Sequence, residues 1–201
     1  MTTDKENVFC GHASEVSVEL KKSAFGAHFL IIYPDLLTLR EMYSHYIKSA
    51  LSDEGNEIVI ILPFLETVNN VRRILSEDSA NIDVRKYEKE QTLLIIDSLK
   101  GYLGSQEGFM PFVRQTLEYA KTSGKNGLSV LGDMGSFFYI DKKDLLNYEM
   151  ALPTTFENMN FKGFCLYHKN DFDRRLTERE RQTYLEHHGK TLILLHSPNG
   201  N

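Results

Sequence analysis

"AHFLIIYPDLLTLREMY", residues 27–43, decides the fold. Its first part, "HFLIIY" (28–33), is a continuous apolar run of strand length. From Asp35 onward, Leu36, Leu39, Met42, Tyr43, Tyr46, Ile47 and Ala50 recur at helical spacing, which predicts an amphipathic helix. In many α/β proteins such a strand-to-helix junction holds a phosphate on the first N–H groups of the helix. Here the junction reads Tyr33, Pro34, Asp35. Pro34 has no N–H to offer. Asp35 is placed to cap the helix with its own carboxylate, and a negative charge there repels an anion. No glycine or lysine lies between Tyr33 and Leu39, so the G-x-x-x-x-G-K-[ST] pattern of a P-loop is missing.

Strand and helix patterns alternate along the rest of the chain. "EIVIILPF" (57–64), "TLLIID" (92–97), "LSVLGDM" (128–134), "GFCLYH" (163–168) and "TLILLH" (191–196) read as strands. Val68, Val71, Ile74 and Leu75 mark one helix, and Phe109, Phe112, Val113 and Leu117 mark another. A short helical piece is expected from Asp83 and a longer helix from Asp141 to Leu152, after an irregular stretch that follows Met134. Thr177 and Glu180 fit a capping box for a helix through His187. Continuous apolar strands alternating with helices predict an α/β fold in three layers, a mostly parallel central sheet with helices on both faces. One domain is expected over residues 25–197, with a polar leader (1–24), partly ordered at best, and a short tail (198–201).

Composition narrows the function. The formal charge of −5 over 201 residues argues against broad nucleic-acid binding. No apolar run approaches the roughly 18 residues needed to span a bilayer, and "MTTDKENVF" lacks the basic and apolar regions of a signal peptide. A cytoplasmic protein is expected. Cys10 and Cys165 make no CxxC and support no zinc module. Cys165 lies in an apolar strand pattern and reads as a small core residue. Cys10 and His12 alone are too few ligands for zinc. No metal and no cofactor is expected from these patterns.

Ligands of open α/β sheets bind beyond the carboxyl ends of the strands, which draws attention to Tyr33, Pro63, Asp97, Asp133, Tyr167, His168 and His196. Apolar strands ending at Asp97 and Asp133 resemble a Walker B motif, but aspartates also cap helices after parallel strands. Leu145, Glu149 and Leu152 share one helical stripe, and a carboxylate on an apolar face needs a hydrogen bond, a partner or a proton. Cys165 and Tyr167 share one strand face, with Asp171 and Phe172 just beyond. His187 and His188 end a helix, where an imidazolium suits the macrodipole. No G-x-S-x-G, H-E-x-x-H or G-x-G-x-x-G occurs, so nothing raises an enzyme above the other readings.

Several local patterns, in order, resemble the MEDS domain, a sensory domain named for methanogens, methylotrophs and the dichloromethane-responsive repressor. They are "GAHFLIIY", "SVLGDM", "LLNYEMAL", "GFCLYHKNDF" and "LEHHG", spread over roughly residues 26–196. The resemblance implies a RecA/KaiC-like fold that has lost its P-loop and a role in sensing small organic molecules, hydrocarbon derivatives among them. It also implies output through a DNA-binding or histidine-kinase module. This sequence departs in two ways: it carries no recognisable output module, and "GSFFYIDKK" after Met134 lacks the tryptophan common there.

The sequence is therefore read as a ligand-sensing or regulatory domain, binding a small organic molecule at the carboxyl ends of the strands. It would signal through a separate signalling or transcription partner or by self-association, without direct membrane or nucleic-acid contact. The expected ligand-binding residues are Tyr33, Asp35, Asp133, Glu149 and Tyr167, with His28 orienting the first strand. Glu149 is expected to bond Tyr33, Tyr167 or His28. The rivals are a residual KaiC-like ATPase using Asp97 or Asp133 with a metal, and a purely structural interaction module.

Overall fold

The computed structural model describes residues 7–77, 80–105 and 107–197. Among them, seven strands form one sheet: β1 (Val8–Gly11), β2 (His28–Tyr33), β3 (Glu57–Leu62), β4 (Leu93–Ile95), β5 (Gly127–Asp133), β6 (Phe161–His168) and β7 (Lys190–Leu194). Their spatial order is β1-β7-β2-β6-β5-β3-β4, and every neighbouring pair is parallel. The sheet is thus wholly parallel. The helices are α1 (Ala13–Lys22), α2 (Leu36–Ala50), α3 (Val68–Glu77), α4 (Val84–Lys89), α5 (Ser98–Leu103), α6 (Met110–Thr122), α7 (Gly135–Ile140), α8 (Lys142–Ala151), α9 (Lys169–Arg175) and α10 (Glu178–His187).

Alternation along the strands sorts the side chains into two cores, because successive residues point to opposite faces. Ile31 and Tyr33 of β2, with Phe164 and Leu166 of β6, join the core under α1 to α4. Leu30 and Ile32 of β2, with Cys165 and Tyr167 of β6, join the core under α5 to α10. A strand buried on both sides must be apolar at every position, which explains the unbroken runs in the sequence. This is the three-layer α/β, RecA-like arrangement expected from the sequence.

Four segments differ from the sequence reading. Residues 8–22, placed in a polar leader, form β1 and α1. β1 pairs with β7 at the sheet edge, where its residues are largely exposed and its apolar run, Val8 to Cys10, is short. α1 buries Ala13, Val16, Ser17 and Leu20 on one stripe, hidden in the sequence among Glu15, Glu19, Lys21 and Lys22. The stretch after Met134 is helix α7, with Phe137 and Phe138 buried and the Gly135 N–H bonded to Asp133 Oδ1 at 2.9 Å. Two short helices, α5 and α9, follow β4 and β6. Asp97 opens the first of them: its Oδ1 accepts from the Lys100 N–H at 3.1 Å, the work of a helix cap. The start of the leader, residues 1–6, and the tail, 198–201, lie outside the described residues. No described helix is long and apolar enough to cross a membrane.

Candidate functional site

Four elements converge on one buried point in the core under α5 to α10. His28 opens β2, Glu149 comes from α8, Cys165 from the middle of β6, and His188 from the residue after α10. All four are buried, and the side chains of His28, Glu149 and His188 are fully so. One ligand-type atom from each lies within 4.8 Å of every other. Cys165 Sγ stands 3.5 Å from His28 Nε2 and 3.8 Å from Glu149 Oε2. Glu149 Oε2 stands 3.5 Å from His188 Nε2 and 4.0 Å from His28 Nε2.

Backbone carbonyls fix both imidazoles. His28 Nδ1 lies 2.8 Å from Pro153 O, and His188 Nδ1 lies 2.8 Å from Tyr184 O. A carbonyl only accepts, so each Nδ1 carries the proton and donates. In the neutral ring that leaves the Nε2 lone pair pointing inward. His188 Nε2 has no hydrogen-bond partner among the described residues. The other Glu149 oxygen, Oε1, accepts from the Tyr167 hydroxyl.

Burial sets the charge states. It pushes the His28 imidazole down to about 4, helped by His188 and opposed by Glu149, so the ring is neutral near pH 7. Burial raises the Glu149 carboxyl, but His188, His28 and Tyr167 outweigh it and hold the group below its ordinary range. Burial and the Glu149 charge push the Cys165 thiol well up. An apolar cavity of about 30 Å³ adjoins the cluster, walled by His28, Cys165, Tyr102, Met110, Met134 and Tyr148 among others.

The six residues expected from the sequence fall into three places. His28, Glu149 and Tyr167 meet as described. They lie on the face of the sheet, from the first residue of β2 toward the end of β6, rather than beyond the strand ends. Tyr33 and Asp133 meet on the opposite face, where the Tyr33 hydroxyl donates to Asp133 Oδ2 at 3.0 Å. Strand parity forces this separation: His28 and Tyr33 are five residues apart in one strand and cannot share a face. Burial pushes the Asp133 carboxyl up to about 6 despite bonds from Gly135, Tyr33 and Phe64. Asp35 stands apart at the junction. Its Oδ1 accepts from the Thr38 N–H at 2.8 Å, and its Oδ2 lies 2.8 Å from His196 Nδ1. It is the helix cap expected from the sequence.

Cys165 and His188 were missed, the first read as core and the second as a helix end. The signal was in the strands: His28 lies opposite Gly163, so Cys165 sits two residues further along β6 on the same face. A second polar cluster also escaped. Lys162 Nζ pairs with Glu57 Oε1 at 2.7 Å, Ser129 Oγ donates to the other Glu57 oxygen, and the Tyr46 hydroxyl bonds Ser129 Oγ at 2.7 Å, all buried. Cys10 is exposed on β1, away from the buried cluster.

The family model of the "MEthanogen/methylotroph, DcmR Sensory domain" matches residues 27–183. That segment holds His28, Glu149, Cys165 and Tyr167, while His188 lies just beyond it. No curated protein matches the chain. With that model matched over most of its length, this chain belongs to the MEDS sensory-domain family.

Proposed function

We propose that this protein senses a small, largely apolar organic molecule taken up in the cavity beside His28 and Cys165. The cavity carries the reading. It is a gap of about 30 Å³ beside the buried cluster, with mostly apolar walls and the polar groups of His28, Tyr102 and Tyr148 at its border. That combination suits a ligand of a few heavy atoms: apolar contact supplies affinity, and one or two polar groups fix orientation. The family's sensory character agrees with a binding role rather than catalysis.

Helix α8 is the element that would report occupancy. Tyr148 lines the cavity, Glu149 enters the buried cluster, and Met150 is exposed on the outer surface. Three consecutive residues thus connect cavity, cluster and surface. A ligand that shifts Tyr148 would shift the face that a separate partner or a second copy reads.

The test uses dichloromethane and methanol as probes, read by NMR of the Met110 and Met134 methyl groups, which both line the cavity. At least one probe is expected to shift both methyls saturably, and Val130→Phe, which fills the cavity from β5, is expected to abolish the shifts. Shifts that persist in Val130→Phe, or none with either probe up to its solubility, would overturn the reading.

A further inference from the structure

We propose that His28, Glu149, Cys165 and His188 form a binding site for a thiophilic divalent metal ion of the zinc class. The ligands would be His28 Nε2, His188 Nε2, Cys165 Sγ and one oxygen of Glu149. This inference does not rest on the cavity or on any organic ligand.

Spacing is the first argument. Bonds of about 2.0–2.3 Å from a tetrahedral zinc ion place its ligand atoms roughly 3.3–3.7 Å apart. Four of the six distances here are 3.5, 3.5, 3.8 and 4.0 Å, and all six lie within 4.8 Å. Small inward movements of side chains already aimed at one point would complete the coordination.

The hydrogen-bond inventory is the second. The atoms converging on the centre are two imidazole nitrogens, a carboxylate oxygen and a thiol sulfur. His188 Nε2 is buried without a hydrogen-bond partner among the described residues. Buried polar atoms are rarely left so. A cation at the centre satisfies all four at once.

Charge and outer contacts agree. A thiolate and a carboxylate neutralise a divalent ion, so the filled site carries no net charge into a fully buried core. On binding, the Cys165 S–H bond breaks as the sulfur–metal bond forms, the proton leaves to solvent, and no oxidation state changes. Pro153 O and Tyr184 O hold the imidazole tautomers, and the Tyr167 hydroxyl holds the second Glu149 oxygen. Such outer contacts are the ones that orient metal ligands. Thiolate and imidazole ligands disfavour Mg²⁺ and Ca²⁺, which prefer oxygen, and favour zinc-like ions.

Cobalt(II) is the probe, added to full-length, untagged protein after treatment with a chelator. The expected result is one Co²⁺ per chain, with intense visible bands of four-coordinate cobalt and a near-ultraviolet thiolate-to-cobalt band. Cys165→Ala should remove the thiolate band, and His188→Gln should weaken Co²⁺ binding at least about tenfold. Circular dichroism of metal-free Cys165→Ala checks that the variant is folded. Should His188→Gln not fold, His28→Gln serves in its place. Absence of four-coordinate bands in the folded parent protein, or an unchanged spectrum in folded Cys165→Ala, would overturn the proposal and assign the cluster to a closed proton-sharing network. Because the cavity is read at Met110 and Met134, either proposal can fail without the other.

Discussion

The Tyr167 hydroxyl of β6 donates its hydrogen to Glu149 Oε1 of α8, joining sheet to helix in a fully buried place. Removing the carboxylate would leave that hydroxyl unpaired, and a buried unsatisfied group costs about 1–3 kcal/mol. Metal-free Glu149→Ala should therefore lose about that much stability in urea unfolding. Glu149→Gln, whose amide oxygen still accepts from Tyr167, should lose less. A Glu149→Ala loss within about 0.5 kcal/mol, the range of ordinary surface changes, would show that the bond contributes nothing.

Asp133 predicts a pH dependence of the opposite sign to a paired surface carboxylate. Its carboxyl moves from 3.8 to about 6 on folding. Between those values the folded chain keeps a proton that the unfolded chain releases. Stability from this group is therefore present below about pH 4, falls as pH rises to about 6 and is level beyond. The size is about 3 kcal/mol at most. Tyr33 and Asp171 are the side-chain groups that face it: the first stabilises the anion and the second opposes it. His28 works the other way, since its ring is neutral when folded and charges on unfolding below about pH 6.5. The informative measurement is the difference between Asp133→Asn and the parent protein. The variant should gain relative stability from pH 4 to 6, and a flat difference would refute the burial argument.

At the first junction the Asp35 carboxylate occupies the place a phosphate would take. Asp35→Ala should cost about 1 kcal/mol through loss of the helix cap. Calorimetric titration with ATP and Mg²⁺ should show no saturable binding to the parent protein. Micromolar binding would revive the residual ATPase reading.

Much of this fold was legible because burial leaves a simple trace. β2, β3 and β5 are covered on both faces, so they appear as unbroken apolar runs, and α2 follows as a stripe. β1 and α1 were not legible, because an exposed edge strand and a helix with a narrow apolar stripe resemble a polar leader. The site was half legible. Glu149 stood out as a carboxylate on an apolar stripe, and its bond to Tyr167 was among those expected. His188 did not, since one imidazole after a helix has a sufficient local explanation and only tertiary packing brings it to Glu149. Grouping Tyr33 with His28 ignored strand parity, which the sequence already contained.

Lys162 and Glu57 offer a test of the buried pair that periodicity concealed. Their 2.7 Å contact is almost fully enclosed. Lys162→Met leaves Glu57 charged and without its cation, and breaking such a pair costs about 3–5 kcal/mol. Lys162→Met combined with Glu57→Gln should recover part of that loss, because the amide carries no charge and still accepts from Ser129. Thermal or urea unfolding of the three proteins decides it. Equal losses in the single and double variants would mean that packing, not charge, is at stake.

Gly132 answers why β5 carries a glycine just before Asp133. A Cβ at this position would lie 2.0 Å from the Tyr102 hydroxyl oxygen and 3.3 Å from the ring carbon that bears it. Tyr102 is held by Phe109, Phe137 and Tyr148, with ring centroids 5.2–5.8 Å away. Space on this face is the cavity that Tyr102 itself lines. Gly132→Ala should therefore cost about 1–3 kcal/mol by overpacking and push the tyrosine toward the cavity, weakening any probe shift at Met110 and Met134. The clash centres on the hydroxyl, so adding Tyr102→Phe should restore part of the stability. A double-mutant cycle then gives a coupling above about 0.5 kcal/mol. If Gly132→Ala is neutral, or the two changes simply add, the close approach of Tyr102 is not what the glycine serves.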